Sequence, residues 1–164
     1  MLFYEELIKK IDGNIEAQGR ERFFLEANKT LIWLGTGIPF FIIGLMELYI
    51  STLSETPSTK NMIFGIVLLF IGFRHIKMYF SYHIILDFNK NSLISKGINV
   101  SFSNIKSCTL KEQSLGKRNR LQTVLDIITK DKKQIIIPLM MTKKVKFLNL
   151  LKSKLGRSFI IKER

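Results

Sequence analysis

A chain of 164 residues has room for one domain with an added membrane segment, and a formal charge of +13 favours anionic partners. One cysteine, Cys108, and two histidines exclude an intrachain disulfide and argue against a structural zinc site, since neither CxxC nor HxxxH spacing occurs. The charge is concentrated late: residues 1–30 carry −1, residues 31–80 carry +1 and residues 81–164 carry +13.

Phe3, Leu7, Ile11 and Ile15 recur every four residues with Glu, Lys and Asp between them. That spacing predicts an amphipathic helix in an N-terminal segment 1–30, interrupted around residues 12–14. Its apolar face suits either a membrane surface or the C-terminal domain. The Glu-rich start is unlike the basic leader of a cleavable signal peptide.

The stretch LIWLGTGIPFFIIGLMELYI, residues 31–50, contains a single charge, Glu47. Twenty helical residues reach about 30 Å, the thickness of a bilayer core, so a first membrane span is predicted here. After the polar residues 51–61, the run MIFGIVLLFIGF at 62–73 is too short to cross alone. It predicts a second span over about 61–80 that uses RHIKMYF as its last two turns. Arg74, His75 and Lys77 then mark the exit, with Arg74 and Lys77 snorkelling to the headgroups and Tyr79, Tyr82 and Trp33 at the interface. Gly37 and Gly44 are seven residues apart, as are Gly65 and Gly72, which places each pair on one helix face where two backbones can approach. The 51–61 loop has one base, Lys60, while both flanks have many. By the positive-inside bias both termini are expected in the cytoplasm, with the hairpin in the cell (inner) membrane.

From residue 82 the apolar period shortens to two. YHIILDF, SLISKG, INVSF, NIKSCTLKEQ, RLQTVLDIIT and QIIIPL read as strands, with turns at NKN and KDKK. TKKVKFLNLLKSKLG reads as a helix, with Thr142 as N-cap, Val145, Leu148, Leu151 and Leu155 as its stripe, and Gly156 at its C-terminal end.

This order of elements resembles the bacterial membrane-anchored PH-like proteins over about residues 31–156. The likeness rests on YHIILDF leaving the second span, the SLISKG turn, SFSNIKSCTLKEQ, and IIIPL feeding a terminal helix. It departs at VSFSNI, where the family has an Ile-Pro-hydrophobic step. The resemblance implies a membrane α-helical hairpin plus an α+β PH-like domain over 81–164, a curved antiparallel sheet closed by a C-terminal helix. It implies no catalytic residues.

Nothing in the chain reads as catalytic machinery, cofactor loop or metal site; GxxxxGK[ST] and GxGxxG are absent. A Cys108–His83 nucleophile and base would need a local signature that is missing, and the carboxylates Asp87, Glu112, Asp126 and Asp131 read as unpaired. Nucleic-acid signatures are absent as well. The expected partner is anionic membrane lipid, met by Lys117, Arg118 and Arg120 in the GKRNR loop and by Lys143, Lys144 and Lys146 on the first turn of the last helix. The alternative is a scaffold or accessory subunit of a membrane complex. It would contact a protein partner or another copy through a sheet edge or the N-terminal helix.

Overall fold

The computed structural model describes residues 4–54, 58–95, 97–114 and 121–162. The chain divides into two compact units, residues 1–24 with 83–164, and residues 25–82. The boundary therefore falls after Phe24, not after residue 30, and the N-terminal segment belongs with the sheet unit.

The second unit is a helical hairpin of α2 (Ala27–Leu53) and α3 (Thr59–Ser81). Both are long and apolar enough to cross a membrane, and they extend beyond the expected 31–50 and 61–80. Pro39 lies inside α2, where its missing N–H leaves the Gly35 carbonyl without its usual donor. The residues buried in α2 are Gly37, Gly44 and Ser51, and in α3 they are Gly65 and Gly72. The large side chains point outward. Among the described residues, nineteen of the twenty-four large apolar side chains left exposed lie on these two helices.

The first unit contains α1 (Tyr4–Lys9), β1 (Arg20–Phe24), β2 (His83–Asp87), β3 (Ser92–Ser95), β4 (Ile98–Ser101), β5 (Ile105–Ser114), β6 (Leu121–Thr129), β7 (Gln134–Pro138), α4 (Lys144–Leu155) and β8 (Phe159–Ile161). Instead of one curved antiparallel sheet there are two four-stranded sheets, ordered β1-β2-β3-β4 and β7-β6-β5-β8. The 3-10 turn Phe102–Asn104 ends β4 and sends β5 into the second sheet. That sheet is mixed, because α4 reverses the chain and β8 runs parallel to β5 with Cys108 opposite Phe159. Neither sheet closes on itself.

Beta-strand β1 pairs with β2 across the whole inserted hairpin, Phe24 opposite His83 and Arg20 opposite Asp87. Phe23, between two exposed neighbours, points into the core and meets the Phe147 ring edge-on at 5.0 Å. Helix α4 buries Phe147, Leu148, Asn149, Leu150 and Leu151, a wider face than the predicted stripe, whose ends Val145 and Leu155 are only half-buried. Thr142 is not its N-cap. That position is Lys143, in the left-handed region at φ 54°, while the Thr142 N–H donates to the Phe24 carbonyl at 2.8 Å. Gly156 ends the helix at φ 51°, a conformation that favours glycine.

The N-terminal segment packs on this unit. Tyr4, Leu7 and Ile11 are buried, and the Tyr4 hydroxyl donates to the Lys162 carbonyl at 2.6 Å, with the Leu110 carbonyl at 3.0 Å. Asn149 of α4 clips the segment from the other side. Its amide donates to the Lys10 carbonyl at 3.1 Å and its oxygen accepts the Gly13 N–H at 3.0 Å. Lys152 adds a bond to the Ile11 carbonyl at 3.0 Å.

Candidate functional site

The connection from β7 into α4 brings cations to one end of the first sheet. Because Thr142 bonds to Phe24, the first turn of α4 lies at the sheet end where the chain leaves for α2 and returns at His83. Lys143 is exposed there. Lys146 is engaged otherwise: its ammonium pairs with Glu21 of β1 at 2.7 Å, which fastens α4 to the sheet. Lys144 is half-buried. No acid stands in this turn, and a helix N-terminus carries partial positive charge of its own. The arrangement concentrates positive potential at this turn. The other expected cluster, Lys117, Arg118 and Arg120, lies outside the described residues; the strand ends that flank it, Ser114 and Leu121, are register partners.

In the hairpin, the structure places Gly37, Gly44, Gly65 and Gly72 along the α2–α3 contact. A Cβ added to Gly44 would stand 2.8 Å from the Gly65 carbonyl oxygen, and one on Gly72 would stand 2.8 Å from the Gly37 carbonyl oxygen. Such distances forbid any side chain without separating the helices. Gly35 differs, since its position meets only Leu31 of its own helix, at 3.9 Å.

Arg74 and Lys77 are exposed near the C-terminal end of α3, and Trp33 and Tyr79 are half-exposed. Tyr82 is 6% exposed and presents little surface to an interface. His75 Nδ1 lies 3.0 Å from the Ile71 carbonyl, one turn back on its own helix. The hairpin carboxylate Glu47 sits beside Gly65, nine residues from Arg74 along α3, or roughly 13 Å of helix rise. The cations and the acid therefore lie at different levels along the hairpin.

A polar cluster in the second sheet is not apparent from the chain alone. Asp126 is buried, accepting from Lys111 Nζ at 2.6 Å and from Gln134 Nε2 at 2.9 Å. Burial pushes its carboxyl up, but the bonds from Lys111 and Gln134 and the Lys111 charge outweigh this and hold it below the ordinary carboxylate range. Asp87 also has a partner, with Arg20 Nε at 3.8 Å, so neither of these two carboxylates is unpaired. Cross-strand neighbours supply these contacts, and only the register reveals them. Cys108 is fully buried; burial, and secondarily the Asp126 charge, push its thiol up and away from reactivity. His83 is exposed at the sheet end. Cys108 lies on β5 and His83 on β2, in different sheets.

Comparison of the chain with protein-family models, with curated proteins and with solved structures finds no match to any of them.

Proposed function

We propose that this is a two-span membrane protein whose basic, PH-like domain works by binding anionic lipid headgroups at the inner leaflet, without catalysis. The observation that carries the reading is the outward-facing apolar surface of the hairpin. Only 11% of the apolar stretch of α2 and 17% of that of α3 is buried, whereas a core helix of a soluble protein would be mostly covered. Hydrocarbon is the solvent that such a surface fits. The sheet unit complements it, holding 22 of the 26 Lys and Arg residues, and each base near an anionic leaflet contributes about 1 kcal/mol. Support for the PH-like reading comes from the succession of antiparallel strands followed by α4.

Topology is tested by cysteine labelling in cells, with Cys108 too buried to react. Ser54→Cys is expected to react with an impermeant thiol reagent from outside and Ser114→Cys only after permeabilisation; the reverse pattern overturns the reading. Lipid engagement is tested on the full chain in nanodiscs. Amide exchange in the first turn of α4 slows when phosphatidylglycerol replaces a zwitterionic lipid, and high salt reverses the effect. Unchanged exchange overturns it.

The second reading is the scaffold or accessory subunit. It is favoured by β4, which among the described residues pairs with β3 alone and stands at the sheet edge. The N-terminal helix no longer serves that reading, because its apolar residues Tyr4 and Leu7 are buried.

A further inference from the structure

Sheet register and exposure single out one end of the first sheet. Phe24 pairs with His83 in its last row, and the next row joins Phe23, Ile84, Ser95 and Ile98. Phe24 on β1 and Ile98 on β4 thus flank the same end, three strand spacings or about 14 Å apart. Opposite partners share a sheet face, so Ile98 lies on the face of Phe23 and Phe24 on the other. Both are open to solvent, Phe24 at 61% and Ile98 at 48%, although their row neighbours Phe23 and Ile84 are at 1%. Between and beside them stand exposed His83 and Lys143. Two bare apolar side chains framed by a polar imidazole and a lysine are the chemistry of an interfacial anchor, with the apolar groups entering the acyl boundary and the lysine ammonium meeting phosphates. This is also the end through which the chain passes to and from the two apolar helices.

We infer that the end of the first sheet formed by Phe24, His83, Ile98 and Lys143 inserts into the anionic lipid interface, so that the sheet unit has a defined membrane-facing edge. The inference rests on the membrane reading of the hairpin. It extends that reading by naming apolar residues of the sheet unit as the contact and by fixing which end is in contact.

Tryptophan scanning on the full chain in vesicles of phosphatidylcholine and phosphatidylglycerol tests it. Single tryptophans replace Phe24, Ile98 or Ile128 in a Trp33→Phe background, and lipids brominated near the headgroup act as quenchers. Ile128, 39% exposed, pairs with Gln134 next to the β6–β7 turn and serves as the control. Protection of Cys108 from thiol reagent certifies that each variant is folded. Ile98→Trp is expected to emit at shorter wavelength than Ile128→Trp and to lose most of its emission to the quencher, while Ile128→Trp keeps its own. Lys143→Glu reduces quenching of Ile98→Trp more than Lys132→Glu does. Ile98→Trp as unquenched as Ile128→Trp overturns the inference, as does equal quenching of both, which denies a defined edge. Trp33 in the parent chain separates the two readings. If it is unquenched both by lipids brominated near the headgroup and by lipids brominated along the acyl chain, the membrane hairpin itself fails; if it is quenched by either and Ile98→Trp is not, only the edge fails.

Discussion

Asn149 and Asp126 show how much single buried polar groups contribute in this chain. Asn149→Ala removes two of the bonds that hold the 10–13 segment and leaves the Lys10 carbonyl and Gly13 N–H without these partners. A loss of about 1–3 kcal/mol in denaturant unfolding is expected, with faster amide exchange in residues 4–13. Gly13→Ala is also costly, because φ is +80° and the new methyl would stand 3.1 Å from Lys152 Cγ. Asp126 contributes to acid stability. Its folded carboxyl is depressed, so its contribution is complete above the unfolded value of about 3.9 and is lost as pH falls through the folded value. Lys111→Met removes the ammonium and leaves burial as the larger effect on that carboxyl. The variant is expected to lose roughly 3 kcal/mol at neutral pH. Its unfolding midpoint should also begin to respond to pH at a higher value than in the parent chain. Adding Asp126→Asn should recover part of the loss, and a double mutant no better than Lys111→Met alone would show that the pair is not the cause.

At the scale of elements, the two hairpin helices depend on glycine at their contact. Gly44→Leu and Gly72→Leu force side chains into backbone less than 3 Å away, whereas Gly35→Leu meets only its own helix. The first two are expected to lower the detergent thermal midpoint clearly, by the equivalent of about 1–3 kcal/mol or more, and Gly35→Leu to leave it nearly unchanged. Equal tolerance at all three positions would show that the helices do not meet along this line. Strand β1 depends on a partner distant in the chain. Its five residues RERFF are short and mostly charged, with little strand signal, and they form a strand because β2 offers a partner edge.

At the scale of the molecule, the pairing of Phe24 with His83 makes the hairpin an insertion between two neighbouring strands. Replacing residues 25–82 by Asn-Gly should close β1 and β2 into an ordinary hairpin and yield a soluble, folded domain. Residues 81–164 alone lack β1, Tyr4, Leu7 and Ile11, and should fail to give a cooperative unfolding transition. Circular dichroism and thermal melts of the two chains decide the point. If residues 81–164 alone melt cooperatively, the N-terminal segment is dispensable to the fold. Charge-reversal comparisons across the surface also need the structure. Lys152 bonds to the Ile11 carbonyl and Lys154 lies over the Phe102 ring at 5.9 Å, so neither is a neutral control for Lys143.

Local patterns were enough for the two apolar helices, the strands from 83 to 138 and the helix that follows, because each has a periodicity of its own and needs no knowledge of its neighbours. The glycine spacing was legible for the same reason. What only tertiary structure decided is non-local. Residues 20–24 become a strand by pairing with residues 83–87, and β8 forms by lying along β5. Asp126 finds Lys111 fifteen residues away because the register of β5 and β6 puts them together. Lys146 and Thr142 are drawn to Glu21 and Phe24 across more than a hundred residues, which turns an expected cation and an expected cap into fastenings of the sheet. A one-dimensional pattern records which residues can be buried. Which partner buries them is settled by packing, where most buried polar groups find their own complement.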